Sequence, residues 1–184
     1  MKRIFVTGTP GALTAPVAHR LYKKGWEITW PNQDLLVYNG KLLKERFYKN
    51  VELENIVHNI CPYILSDKLP DYYDIPYPGP KEYISKFPDK VVLNSVLFAP
   101  FLNMWVNYVD AVIDIQATKD EDIKVLNDWT NKEYAPDYLD LIRTCHLSRY
   151  NEHVKLFDKV FVLTNQEVRM GYFDCFDGFI SCTS

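Results

Sequence analysis

The chain has 184 residues, of which 47% are hydrophobic and 24% are charged, with a formal net charge of −3. This length predicts a single domain, residues 1–184, and the small negative charge argues against a nucleic-acid partner. No apolar run reaches membrane-spanning length and the first residues do not resemble a signal peptide, so we expect a cytoplasmic protein with no membrane partner. The four cysteines form no Cys-x-x-Cys pair, so we expect reduced thiols.

The first predicted element is a short apolar strand, Arg3–Thr7, followed by a turn and a helix. Thr14 is the predicted N-cap of that helix, Pro16 lies in its first turn and Gly25 follows its end. A strand, a glycine-containing turn and a helix N-terminus together bind phosphate, because backbone N–H groups point outward and the helix dipole adds positive charge. The candidate nucleotide-binding residues in this turn are Gly8, Thr9, Pro10, Gly11, Ala12, Leu13 and Thr14.

The region up to residue 88 is less regular. It contains a predicted second strand, Glu27–Trp30, a hairpin around Asn39-Gly40 within 35–43, and a short helix over 51–60. An excursion over about 61–88 holds six of the eleven prolines together with many tyrosines. Because proline at this density prevents regular structure, the excursion is either a lid or binding loop, or a passive wrap over the core.

Strands and helices alternate in the second half of the chain. The predicted strands are Lys90–Asn94, Val109–Ile115 and Lys159–Leu163. The predicted helices are Phe98–Tyr108, one that opens with a capping box at Thr118–Glu121, Pro136–Phe157, and a short one near Gln166–Met170. This pattern predicts an α/β fold, a three-layer α/β/α sandwich with a mainly parallel sheet.

Ligands in such sheets bind at the carboxyl ends of the strands. This rule adds Asn94, Ser95 and the segment 116–118 to the candidate rim beside the first turn. We include Gln116 and Lys119 in the predicted nucleotide-binding set.

The turn departs from the complete P-loop motif Gly-x-x-x-x-Gly-Lys-Ser/Thr at three positions. The offsets of its second glycine, its lysine and its magnesium-binding hydroxyl are occupied by Leu13, Thr14 and Ala15. We therefore expect no magnesium-dependent hydrolysis of ATP or GTP and no metal site. Asp114, at the end of an apolar strand, resembles a Walker-B acid or is simply an aspartate that ends a strand.

The segment Thr7–Leu13 resembles the opening of extended short-chain dehydrogenases, which implies an NAD(P) site. That family also has a Tyr-x-x-x-Lys pair on one helix turn. Here Tyr77 and Lys81 have this spacing, but Pro78, Gly79 and Pro80 lie between them and prevent a helix.

The order of elements resembles a small sulfotransferase, a family with a P-loop-type fold. The segments that carry this resemblance are Pro10–Ala15, Pro88–Ser95, Phe98–Tyr108, Val112–Asp120 and Lys159–Glu167. The resemblance implies that the turn binds 3′-phosphoadenylyl sulfate, or adenosine 3′,5′-bisphosphate, without a metal. It also implies transfer of a sulfuryl group to an unidentified hydroxyl or amine acceptor.

Several charged residues of that family are absent. Gly11 replaces a basic residue, Asn94 a lysine, and Gln116 the arginine expected at the 3′-phosphate of the donor. Each loss removes a charge-assisted contact of about 1.5–3 kcal/mol. Either other basic residues, of which Lys119 and Lys124 are nearest, replace them or the chemistry is lost.

Three hypotheses follow. The chain is a sulfotransferase-like nucleotide-binding protein, a non-catalytic binding or interaction protein on a P-loop scaffold, or an NAD(P)-binding protein. No catalytic residue is identified. His146 lies beside an apolar helix stripe and is interpreted as a hydrogen-bonded core histidine, whereas Arg143, His146 and Arg149 are spaced to form a basic edge.

Overall fold

The computed structural model describes residues 2–29, 81, 84–96, 99–130 and 136–181. Five strands lie in these residues: β1 (Lys2–Gly8), β2 (Glu27–Thr29), β3 (Lys90–Asn94), β4 (Ala111–Gln116) and β5 (Val160–Thr164). They form one sheet in the order β2-β3-β1-β4-β5, and every neighbouring pair is parallel. The first strand is therefore central, and the predicted parallel sheet is confirmed.

Six helical segments lie wholly within the described residues. They are α1 (Thr14–Lys23), a 3-10 helix (Ala99–Trp105), α2 (Lys119–Thr130), α3 (Pro136–Val154), α4 (Asn165–Met170) and α5 (Asp174–Ser181). The sequence analysis did not predict α5. Within the described ranges, no helix has both the length and the apolar character needed to cross a membrane.

Helices cover both faces of the sheet because side chains alternate along each buried strand. On one face, Ile4 and Val6 of β1 pack in a core with residues of α1, α4 and α5. On the other face, Phe5 packs in a second core with residues of the 3-10 helix and α3. The α/β class and the three-layer arrangement are thus confirmed.

Two local predictions need correction. The predicted helix Phe98–Tyr108 is a shorter 3-10 helix, a form typical of short connecting pieces, and its Trp105 ring packs edge-on against Phe5 at 5.5 Å. Thr14 is the first residue of α1 and not its N-cap, which is Leu13 and makes no side-chain cap. The Leu13 N–H itself donates to another residue of the chain, as described below.

Other local predictions hold. Gly25 follows the end of α1 with φ of 86°, a value that glycine adopts readily. The capping box at Thr118 and Glu121 is present, with each residue accepting from the other's backbone N–H. The predicted hairpin at 35–43, the helix at 51–60 and most of the excursion at 61–88 lie outside the described residues.

Candidate functional site

The carboxyl ends of β1, β3 and β4 meet at one edge of the sheet. Val6 is aligned with Asn94, and Gly8 with Ile115. The Ser95 N–H donates to the Val6 carbonyl at 3.2 Å, and the Thr7 hydroxyl donates to the Ser95 carbonyl at 2.7 Å. The structure therefore brings the predicted residues Asn94 and Ser95 to the strand that leads into the turn.

The turn packs so tightly that its two glycines leave no space for a side chain. A Cβ on Gly8 would lie 2.2 Å from the Ile115 carbonyl oxygen, and one on Gly11 would lie 2.7 Å from backbone atoms of Glu121. The basic residue that the sulfotransferase resemblance expects at position 11 has no room here. Glycine at position 11 is a consequence of close packing between the turn and the start of α2.

Four consecutive amides of the turn already have acceptors. The Gly11 N–H donates to Asp122 Oδ1 at 2.8 Å, and the Leu13 N–H donates to Asn165 Oδ1 at 2.9 Å. The N–H groups of Ala12 and Thr14 donate to the carbonyls of Thr9 and Ala12, each at 2.9 Å. In this structure, side-chain oxygens of the chain itself occupy the N-terminus of α1, where a phosphate-binding turn would hold a phosphate.

Asn165, the first residue of α4, joins the turn to α2. Its Nδ2 donates to the Gly11 carbonyl at 3.0 Å and to Glu121 Oε2 at 2.9 Å, so both ends of its buried amide are bonded. Glu121 also accepts from Arg169 of α4. Burial alone would raise the pKa of Glu121, but hydrogen bonds from Thr118, Arg169 and Asn165 outweigh it and lower that pKa to about 2.

Three polar side chains on one face of α3 secure the same region. Arg143 Nε donates to Asp122 Oδ2 at 2.9 Å. One turn further along, His146 Nε2 lies 3.2 Å from the Gly8 carbonyl. After one more turn, the Tyr150 hydroxyl donates to Asp114 on β4. Since a carbonyl oxygen only accepts, Nε2 of His146 carries the hydrogen. The spacing of three and four residues places all three side chains on one helix face.

Burial determines how these groups ionise. It lowers the pKa of His146 to about 4, so this imidazole is neutral at pH 7. Burial also raises the pKa of Asp114, against the hydrogen bonds from Tyr150 and Gln116, and it raises the pKa of Tyr150 well above its usual range. Because His146 is buried and neutral, Arg143, His146 and Arg149 do not form a common basic edge.

The other predicted site residues lie farther out on the rim. Gln116 is exposed, and its Nε2 is 3.4 Å from Asp114 Oδ2. The Lys119 ammonium pairs with Asp140 at 2.9 Å, and its side chain is 57% exposed. Both side chains thus contact acids of β4 and α3 in this structure.

The described residues of this site do not form a set of metal ligands. Within the parts of the chain that the structure covers, no group of three His, Cys, Asp or Glu side chains could hold one. Ala15 offers no hydroxyl at the offset where a P-loop binds magnesium.

Asp122 and Asn165 were not predicted from the sequence as turn contacts. Asn165 immediately follows the carboxyl end of β5, so the strand-end rule applied to this strand would have found it. Asp122 follows two other acids in the first turn of α2, and its spacing alone carries no sign that it contacts Gly11.

Comparison with known proteins identifies the fold. No protein-family model and no curated protein sequence matches the chain. Among solved structures, deoxyadenosine kinase from M. mycoides with bound dATP is similar over 89% of this chain and 91% of its own, at 16% identity and a TM-score of 0.53.

Two further structures agree. The same kinase with dCMP and dCDP is similar over 98% of this chain and 100% of its own, at 14% identity and a TM-score of 0.57. Shikimate kinase from Bacteroides thetaiotaomicron is similar over 98% of this chain and 95% of its own, at 15% identity and a TM-score of 0.52. The chain therefore has a P-loop kinase-like fold; at these identities the likeness does not extend to activity.

Proposed function

We propose that this chain is a nucleotide-binding protein on a P-loop-type scaffold and that the turn Gly8–Thr14 binds the phosphate. One observation carries the proposal: the Gly11 N–H already holds an anionic oxygen, Asp122 Oδ1, at 2.8 Å. A turn at a helix N-terminus that binds a carboxylate has the amide geometry and the electrostatics to bind a phosphate oxygen. The dATP, dCMP and dCDP bound to the structurally similar deoxyadenosine kinase support a nucleotide as the ligand class.

The proposed ligand, at the finer level, is 3′-phosphoadenylyl sulfate or adenosine 3′,5′-bisphosphate, bound without a metal. Leu13, Thr14 and Ala15 supply neither the lysine nor the hydroxyl of a magnesium-dependent P-loop. If the chain is an enzyme, sulfuryl transfer to a hydroxyl or amine is the reaction that this turn could serve, by positioning the donor. Contacts from Gln116 and Lys119 to the donor would require that they leave Asp114 and Asp140.

A second candidate is a non-catalytic binding or interaction protein whose turn stays occupied by its own side chains. The observation that favours it is the burial of Asp122, whose side chain is 0% exposed and paired with Arg143. A carboxylate in this position repels a phosphate unless it moves away.

Ligand-induced stabilisation separates the candidates. Thermal shifts and calorimetry would be measured with adenosine 3′,5′-bisphosphate, dATP, ATP and NADP, each with and without magnesium. A specific adenine nucleotide at a hundred times its Kd should stabilise the fold by about 2.7 kcal/mol, and magnesium should not be needed. A response to NADP alone would favour the dehydrogenase hypothesis, and no response at millimolar ligand would favour the second candidate.

A charge variant tests whether the turn is the site. Ala15 is exposed in the first turn of α1, where an added acid suits the helix dipole. Ala15→Asp should therefore leave the fold intact and weaken nucleotide binding by charge repulsion. Asn151→Asp, which adds the same charge to an exposed position near the end of α3, is the control and should bind like the unaltered chain. Equal binding by both variants would mean that the ligand binds elsewhere.

A further inference from the structure

We infer that Asp122 is an internal occupant of the phosphate position and that Arg143 supplies the cation that the turn itself lacks. An incoming phosphate displaces the Asp122 carboxylate from the Gly11 N–H and takes over its ion pair with Arg143. The inference rests on the proposed function and concerns the regulation of that same site.

The geometry joins the three groups through one carboxylate. Asp122 Oδ1 accepts from the Gly11 N–H at 2.8 Å, and Asp122 Oδ2 accepts from Arg143 Nε at 2.9 Å. The Arg143 side chain is only 17% exposed, and its Nε bonds the same carboxylate that accepts from the turn. Arg143 is thus a single carboxylate away from the turn, and a tetrahedral oxyanion has enough oxygens to make both contacts.

A second observation points to a missing ligand. Thr9 belongs to the turn itself and is 4% exposed, yet its Oγ1 has no hydrogen-bond partner among the described residues. A buried hydroxyl without a partner is unfavourable and rare, and a water, an ion or a ligand bound at the hydroxyl would satisfy it. The Asp122 carboxylate satisfies Gly11 and Arg143 but leaves this hydroxyl unbonded.

The chemistry favours a phosphate over the carboxylate. A phosphate monoester carries more charge and more acceptor oxygens than a carboxylate, and a guanidinium can bind it through two parallel hydrogen bonds. The displaced Asp122 stays in the first turn of α2, where the helix dipole favours a negative charge. The site therefore favours a phosphate over the carboxylate, and Asp122 sets the concentration at which the phosphate binds.

Calorimetric titration with inorganic phosphate and with adenosine 3′,5′-bisphosphate tests the inference. Asp122→Asn keeps the size of the side chain and removes its charge, so both ligands should bind at least about tenfold more tightly than to the unaltered chain. The double variant Asp122→Asn/Arg143→Gln should lose this gain, because the cation is then absent as well. Asp128→Asn, which removes the same charge from an exposed position near the end of α2, is the control and should change affinity by less than about threefold.

The outcomes separate this inference from the proposed function. If the unaltered chain binds the bisphosphate and Asp122→Asn binds it no more tightly, the inference is wrong and the proposed function stands. If only Asp122→Asn binds, the inference stands and the unaltered chain is held in its occupied state. If neither binds, both fail.

The unaltered chain provides a second measurement that does not depend on the folding of a variant. On addition of adenosine 3′,5′-bisphosphate, the nuclear magnetic resonances of the Gly11 N–H and of the Arg143 Nε–H should shift together, with one midpoint. Movement of the Gly11 signal while the Arg143 signal stays unchanged would contradict the exchange of partners.

Discussion

Two aspartates, Asp122 and Asp177, form ion pairs near opposite ends of α1. The two ion pairs differ in how far solvent reaches them. Asp122 lies at the turn before α1, with its side chain fully buried against Arg143 and the Gly11 N–H. Asp177 of α5 contacts Arg20 and Lys24 at the end of α1, and its side chain is 24% exposed. An aspartate–arginine ion pair is therefore present twice, once with its carboxylate fully buried and once with its carboxylate partly exposed to solvent. The difference decides what each pair contributes, because water screens the second.

Burial makes the Asp122 cluster costly to break. If Arg143 is removed, the Asp122 carboxylate loses its counter-ion in a place that water cannot reach. If Arg20 or Lys24 is removed, the Asp177 carboxylate still contacts the other cation and is still partly solvated. The first cluster thus fixes the turn, and the second mainly adds a contact between α1 and α5.

The largest expected effect comes from Arg143→Ala. Removing one partner of a buried ion pair should lower the free energy of unfolding by about 3 kcal/mol, measured by urea denaturation. The double variant Asp122→Asn/Arg143→Gln is the matched control and should lose clearly less, because no charge is left unpaired. Equal losses would show that the packing of the Arg143 side chain, not its charge, supports the fold.

The second prediction concerns pH and His146, which bonds to the same turn through the Gly8 carbonyl. Its pKa is about 4 in the folded chain and about 6.5 when unfolded, because burial opposes the charged form. Between these values the unfolded state binds the extra proton. Stability should therefore fall as the pH drops from 6.5 to 4, by about 3 kcal/mol in all.

Denaturation at a series of pH values measures this effect. His146→Gln keeps a side-chain N–H that can donate to the Gly8 carbonyl but does not titrate, so its stability should change less over the same interval. The Asp122 charge beside His146 partly offsets burial, so Asp122→Asn should lower the pKa of His146 further and extend the loss of stability below pH 4. A pH profile of His146→Gln identical to that of the unaltered chain would contradict the prediction.

The fold was largely predictable because its strands are continuous apolar runs. Lys90–Asn94 was predicted with the bounds that the structure has, and the parallel sheet was also expected. The interpretation of His146 as a hydrogen-bonded core histidine is confirmed by its burial and its contact with Gly8. Such features depend on local pattern, which a sequence carries.

The contacts of the turn were not predictable in the same way. Gly11 and Asp122 are 111 residues apart, and Leu13 and Asn165 are 152 apart. Their pairing depends on the crossovers between strands and on how deeply α2 packs against the turn, which no spacing in the sequence encodes. Burial also decides that Asp122 pairs inward, while its neighbour Asp120 is exposed.

The smallest effect is expected for Asp177→Asn. Arg20 and Lys24 lower the pKa of Asp177, the first mainly by hydrogen bonding, but all three side chains are about a quarter to a third exposed. Screening should therefore limit the loss of stability to about 0–1 kcal/mol, and 1 M salt should remove most of it. Urea denaturation at low and high salt measures both. A salt-independent loss as large as that of Arg143→Ala would mean that solvent exposure does not distinguish the two clusters. In that case the contact of Asp122 with the turn, and not its shielding from water, would have to explain how this ion pair holds the turn.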